Sequence, residues 1–186
     1  MHGGRRDDGL LTDLAPLDAI LDRHASDLAA DFTAYRNHAY RVATLCASQA
    51  GSPPEALEKI AIAAAFHDLG IWVDHTFDYL DPSVRLAREH LLASGRAAWV
   101  PEVTAAILEH HRITRYGGAH TWLVEPFRRA DWMDVSGGLV ASGLSRDLFR
   151  AALARWPRAG FHRLLARLEW RHVRSHPLNP LPMLKL

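Results

Sequence analysis

The sequence predicts an all-α protein, a bundle of about seven or eight helices in a single domain. Apolar residues recur at helical spacing along nearly the whole chain, and no segment alternates strictly as a half-buried strand would. Proline and glycine fall between the periodic runs, where they start and stop helices. The chain has 186 residues, enough for one core without staples, and shows neither an internal repeat nor a composition break.

In order, helices are expected at about 13 to 30, 31 to 50, 53 to 69, 82 to 94, 101 to 111, 126 to 136, 145 to 155 and 158 to 175. Ser52-Pro53-Pro54 supplies an N-cap and first-turn prolines for the third of these. Asp81-Pro82 and Pro101 do the same for the fourth and fifth, and Pro126 reads as a first-turn residue of the sixth. Gly117-Gly118 and Gly137-Gly138 mark loops. The tail from His176 to Pro182 is too rich in proline to continue a helix and is expected to lie extended on the surface. One domain thus spans 1–186, with the chemistry in about 30–136 and the C-terminal helices and tail in 145–186.

Composition narrows the class. The single cysteine, Cys46, excludes an internal disulfide and a cysteine-rich zinc module. Residues 1–8 lack the apolar run of a signal peptide, and no stretch reaches the ~18 apolar residues of a membrane span. A soluble cytoplasmic protein with no membrane partner is expected. The net charge of +1 is unevenly placed: residues 1–35 hold seven Asp against three Arg, whereas residues 146–186 hold eight Arg and one Lys against Asp147 and Glu169. Twelve histidines beside one thiol point to nitrogen and oxygen metal ligands.

Four polar clusters interrupt apolar helices. His38 lies in Tyr35-Arg36-Asn37-His38. His67-Asp68 directly follows the apolar run Ile60 to Phe66, where an ionisable pair pays a large desolvation penalty unless it is paired or metal-bound. Glu109-His110-His111 ends a helix on which His110 shares the stripe of Val103 and Ile107. Asp131 follows Phe127 and Ala130 on one helical side.

The order His38, His67-Asp68, Asp131 resembles the HD-domain superfamily of metal-dependent phosphohydrolases over roughly residues 30 to 136. The sharpest part is Ala65-Phe66-His67-Asp68-Leu69-Gly70. The resemblance implies an all-α bundle with a metal between His38, His67, Asp68 and Asp131, with His67 and Asp68 central to catalysis. Members with two metals place two further histidines between the doublet and the last aspartate, so His90 and His110 would complete a second site bridged by Asp68. His110 and His111 point about 100° apart, so one faces the metal and the other substrate or solvent; the sequence leaves the choice open. The cofactor would be one or two divalent ions, with Fe, Mn, Zn, Co and Ni all compatible with this donor set.

Arg112, Arg115, Arg128, His75 and His111 are candidates for binding substrate, the arginines because their forked donors suit phosphate. The expected reaction is hydrolysis of a small phosphate ester or nucleotide by metal-activated water. The six-residue set is also similar to HD-type diiron oxygenases, including the inositol oxygenase group and phosphonate-cleaving enzymes. Those place a lysine near the metals; here Ile71 stands three after the doublet aspartate, and the only lysines are Lys59 and Lys185. Tyr116-Gly117-Gly118 departs from the signature of the cyclic-dinucleotide phosphodiesterase branch. A non-catalytic binding module is the third reading. Arg163, Arg167, Arg171 and Arg174 form a stripe on the last helix, but no aromatic residues interleave them, so nucleic acid is not the expected partner. Oligomeric state is left open.

Overall fold

The computed structural model describes residues 5–7, 9–50, 54–140, 143–178 and 182–184. The start signal at Ser52-Pro53 and the tail residues Asn179 to Leu181 lie outside them. The all-α expectation holds, with one small addition. A two-stranded antiparallel hairpin, β1 (Arg5–Asp7) and β2 (Leu10–Asp13), opens the described chain. A ribbon this short is marginal alone. Here the rest of the fold holds it: Leu11 is buried, its N–H donates to Thr44 Oγ1 at 3.3 Å, and its carbonyl accepts from Trp156 Nε1 at 3.3 Å.

The expected first helix is divided. Helix α1 (Ala15–Arg23) carries Pro16 in its first turn and buries Leu17, Ile20 and Leu21. It stops at His24, and α2 (Ala25–Leu28) is a single turn. The chain then redirects at Ala29, whose φ of 46° no right-handed helix accommodates. A 3₁₀ turn over Ala29–Asp31 leads into α3 (Phe32–Ala50), the central helix. From Ala34 to Ala47 every residue of α3 but Arg36 is buried. A helix apolar or occupied all round belongs in the middle of a bundle. It packs chiefly against α8 and α4. Ala39 and Ala43 on α3, with Ala61, Ala64 and Ala65 on α4, are small buried residues of that core.

Helix α4 (Pro54–Phe66) ends at the doublet, and His67 to Leu69 form a turn before the short α5 (Gly70–Val73). Gly70 is required there. A Cβ at that position would lie 2.7 Å from the Tyr79 carbonyl oxygen and 2.9 Å from the Ser83 nitrogen, because the start of α6 (Leu80–Ala93) crosses directly over it. The Gly70 N–H donates to Ser83 Oγ at 3.0 Å across the same contact. Helix α7 (Val100–Glu109) follows a 3₁₀ turn and has Pro101 in its first turn, as its sequence predicts.

Helix α8 (Thr121–Val135) corrects the reading of Pro126. The helix begins five residues earlier than expected, and the proline sits in its interior. Pro126 has no N–H to offer the Trp122 carbonyl, so the helix lacks one interior hydrogen bond there. Helix α9 (Arg146–Arg155) is capped by Ser145, whose Oγ accepts from Leu148 N at 3.2 Å. Helix α10 (Phe161–Ser175) buries Phe161 and Leu164, while Arg163, Arg167, Arg171 and Arg174 face outward, the amphipathic arrangement of a surface helix. Among the described residues, no helix is long and apolar enough to cross a membrane.

Candidate metal centre

Four elements deliver the polar clusters to one buried point. Helix α3 carries His38, the turn after α4 carries His67 and Asp68, the end of α7 carries His110 and His111, and α8 carries Asp131. Helices α3 and α8 pack together in the middle of the bundle, so His38 faces Asp131.

The imidazoles are oriented by what their outer nitrogens bond. His38 Nδ1 meets Asp134 Oδ2 at 2.7 Å, His67 Nδ1 meets the Ala64 carbonyl at 2.9 Å, and His110 Nδ1 meets the Ile107 carbonyl at 2.6 Å. Each partner is an acceptor, so each Nδ1 is the donor and each Nε2 of a neutral ring is left with a lone pair. Those Nε2 atoms turn inward. The Nε2 atoms of His38 and His67 are 3.0 Å apart. Asp131 Oδ1 lies 3.4 Å from the first and 3.8 Å from the second, and Asp68 Oδ2 lies 3.6 and 3.3 Å from them. On its other side, Asp68 Oδ1 lies 3.4 Å from His110 Nε2. Asp131 Oδ2 lies 3.5 Å from His111 Nδ1.

A divalent ion with bonds of about 2.1 Å needs neighbouring donors roughly 3.0 to 3.5 Å apart. These spacings fit. The atoms are also left wanting: Asp68 Oδ1, His110 Nε2 and both Asp131 oxygens are buried with no hydrogen-bond partner, a costly state unless something else satisfies them. Two donor groups can hold an ion, His38 with His67 and Asp68, and Asp68 with His110 and His111. Asp68 belongs to both and offers a different oxygen to each.

Electrostatics are consistent with a site built for cations. Burial raises the carboxyls of Asp68 and Asp131, but neighbouring imidazoles overcome it and hold both below their usual range. Burial disfavours charge on His38, yet the neighbouring carboxylates of Asp131 and Asp134 prevail and lift it to about 9. Burial and the adjacent His110 push His111 down to about 3. Phe161 of α10 stacks on His38 at 4.1 Å and closes that side. The side chain of His111 is 15% exposed, whereas those of His38, His67 and His110 are fully buried, so the cluster meets solvent on the His111 side.

His90 is not in this group. It faces Phe66 and α1 from the flank of α6, with its ring 5.4 Å from Phe66. The second donor group contains His111 where the sequence pointed to His90. Arg128 is also committed elsewhere: its Nε and Nη2 donate to the two Glu125 oxygens at 2.8 Å each, and its Nη1 donates to the Arg112 carbonyl at 3.0 Å. Arg112 donates to Thr114 and Glu109 and is one-third exposed. Arg115 is exposed. His75, with φ of 52°, lines a separate groove with Trp72, Arg167 and Arg171.

Four supporting residues, Asp134, Arg41, Tyr35 and Tyr79, were given no role in holding the cluster by the sequence reading. Asp134 accepts from His38 and also from Arg41 Nε at 2.6 Å and Nη2 at 2.8 Å; all three side chains are fully buried. Their spacing was a signal, since Arg41 is i+3 from His38 and Asp134 is i+3 from Asp131, so each pair shares a helix face. Tyr35 OH donates to the Ala65 carbonyl and accepts from Asp68 N, fixing the doublet turn. Tyr79 OH contacts His111 Nε2 at 2.6 Å.

Comparison with known proteins agrees with this geometry. Residues 35–136 match the HD domain family, and no curated protein and no solved structure matches the chain. The chain belongs to the HD-domain family, a superfamily of metal-dependent hydrolases.

Proposed function

We propose that this protein is a metal-dependent phosphohydrolase acting on a small phosphate ester or nucleotide, with His38, His67, Asp68 and Asp131 as ligands of one divalent ion. The observation that carries the reading is the convergence of two inward-turned Nε2 atoms and two carboxylates within 3.0 to 3.8 Å, in a family of metal-dependent hydrolases. An ion held there supplies Lewis acidity toward a phosphoryl oxygen and lowers the pKa of water. The chain does the rest. Asp134 holds the His38 ring through Nδ1, and the Ala64 carbonyl does the same for His67. Asp68 and Asp131 stay ionised at neutral pH and present charge without a proton to lose. Arg112 and Arg115, in the segment after His111, would meet the charged end of a substrate. Arg128 does not share that role.

The second donor group supports a two-ion reading, in which Asp68, His110 and His111 would hold the second ion. That same arrangement keeps an HD-type diiron oxygenase as the second reading. Hydrolysis of a panel of phosphate monoesters and nucleotides by the wild type, His67→Ala and Asp68→Ala tests the first: activity lost together with bound metal in both variants supports it, and full activity in either ends it. Two irons per chain with a mixed-valent signal under partial reduction favour the second.

A further inference from the structure

The far face of α4 carries a second groove that the metal chemistry does not use. Its volume is ≈ 530 Å³, and its apolar floor includes Phe66, Ile20 and Leu86. Phe66 immediately precedes His67, yet the two point apart. Phe66 lines this groove, while His67 Nε2 lies 3.0 Å from His38 inside the cluster. The end of α4 is therefore a wall between two compartments.

Three elements bring nitrogen donors to the groove. The end of α1 supplies Arg23 and His24, α6 supplies His90, and the turn after α6 supplies Arg96. The His90 ring is tilted 49° to Phe66 at 5.4 Å, and the His24 ring meets Phe66 edge-on at 6.4 Å. Among the described residues, Arg23 is bonded only through its Nε, to the Ala19 carbonyl at 3.1 Å, and is exposed. The ring nitrogens of His90 have no hydrogen bond or ion pair among the described residues. The groove's carboxylate, Glu89, is largely in solvent and 3.4 Å from Arg85; Glu58 holds Arg96 and Asp27 holds His24. Besides burial, Arg23, Arg96 and His24 each push the His90 imidazole below its usual value.

We propose that this groove binds a small organic phosphate, with the phosphoryl group received by Arg23, His24, His90 and Arg96 and the flat or apolar part lying on Phe66. Forked guanidinium and imidazole donors from separate elements suit an anion with three oxygens. The volume falls in the range that encloses a mononucleotide-sized ligand, far more than a phosphate ion needs. The site is separate from the cluster around Asp68 and does not depend on which reaction occurs there.

The test uses phenylphosphonate, a dianion with a flat apolar ring, and inorganic phosphate as probes. Each is titrated calorimetrically into the wild type, Asp68→Asn and the double variant Arg23→Ala/His90→Ala, and the ring-proton resonances of His24 and His90 are followed in the wild type. Phenylphosphonate should bind more tightly than phosphate, move both histidine resonances, and bind Asp68→Asn as it binds the wild type. Losing two charge-assisted contacts should weaken it roughly tenfold or more in the double variant. No binding, equal affinity in the double variant, unmoved His90 resonances or loss of binding in Asp68→Asn each overturns the proposal. The resonance shifts decide the matter even where a variant folds poorly.

Discussion

Replacing Asp134 with alanine removes in one step the acceptor of His38 Nδ1 and both carboxylate contacts of the Arg41 guanidinium. Arg41 is wholly buried, and its remaining bonds, to the Trp156 and Pro157 carbonyls, use Nη1 alone. Nε and Nη2 would be left as a charge without a partner in the core. Breaking a buried pair in this way costs about 3 to 5 kcal/mol. At roughly 2 to 4 °C per kcal/mol for a chain of this size, Tm should fall by about 6 to 20 °C. The variant should still fold, since typical stabilities are about 5 to 15 kcal/mol. The same change frees the His38 ring to rotate and should weaken the first ion by about 10- to 100-fold. Thermal unfolding with and without added metal, beside a calorimetric metal titration, measures both effects. Asp134→Asn, which keeps one acceptor oxygen, should lose less stability than Asp134→Ala. A Tm shift under about 2 °C with unchanged metal affinity would refute the claim that Asp134 holds both His38 and Arg41.

Other consequences are separable. Gly70→Ala places a methyl group against the Tyr79 carbonyl and should cost about 1 to 3 kcal/mol by urea denaturation; a neutral result would mean that α6 can move away from α5. Burial raises the Glu125 carboxyl, but Arg128 outweighs it and holds it below its usual value. Its folded pKa being depressed, the pair stabilises fully above the unfolded value of about 4.3 and the benefit disappears as pH falls through the folded value. The stability gap between wild type and Glu125→Gln should therefore be widest near neutrality and shrink below about pH 4.3, and a gap that widens on acidification contradicts the assignment. Tyr79→Phe removes the contact to His111 Nε2 and should weaken the second ion by about tenfold while sparing the first, which a metal titration resolves.

Much of the site was legible because burial and helical phase constrain it. His67-Asp68 had to be satisfied because it followed seven apolar residues, and Asp131 shared a face with Phe127. His90 was misleading for a reason that spacing alone does not reveal. It lies at the edge of the stripe formed by Leu80, Ser83, Ala87 and Leu91, and only the packing of α6 decides that this edge faces Phe66 and α1. His111 lies beyond the last residue of α7, so no helical phase foretells its direction. Arg128 stands one turn before Asp131, but Glu125 one turn earlier still captures it. The hairpin is too short to display alternation and is held by Thr44 and Trp156, far away in sequence. Pro126 looked like a start signal because helix interiors rarely contain proline, yet it sits inside α8.

The central claim is that Asp68 stands between two donor groups that hold divalent ions. Elemental analysis after metal loading and desalting, performed on wild type, Asp68→Asn and His90→Ala, addresses it most directly. One or two ions per chain in wild type and His90→Ala, with little or none retained by Asp68→Asn, is the predicted result. Equal metal content in wild type and Asp68→Asn, or metal lost from His90→Ala alone, would contradict it.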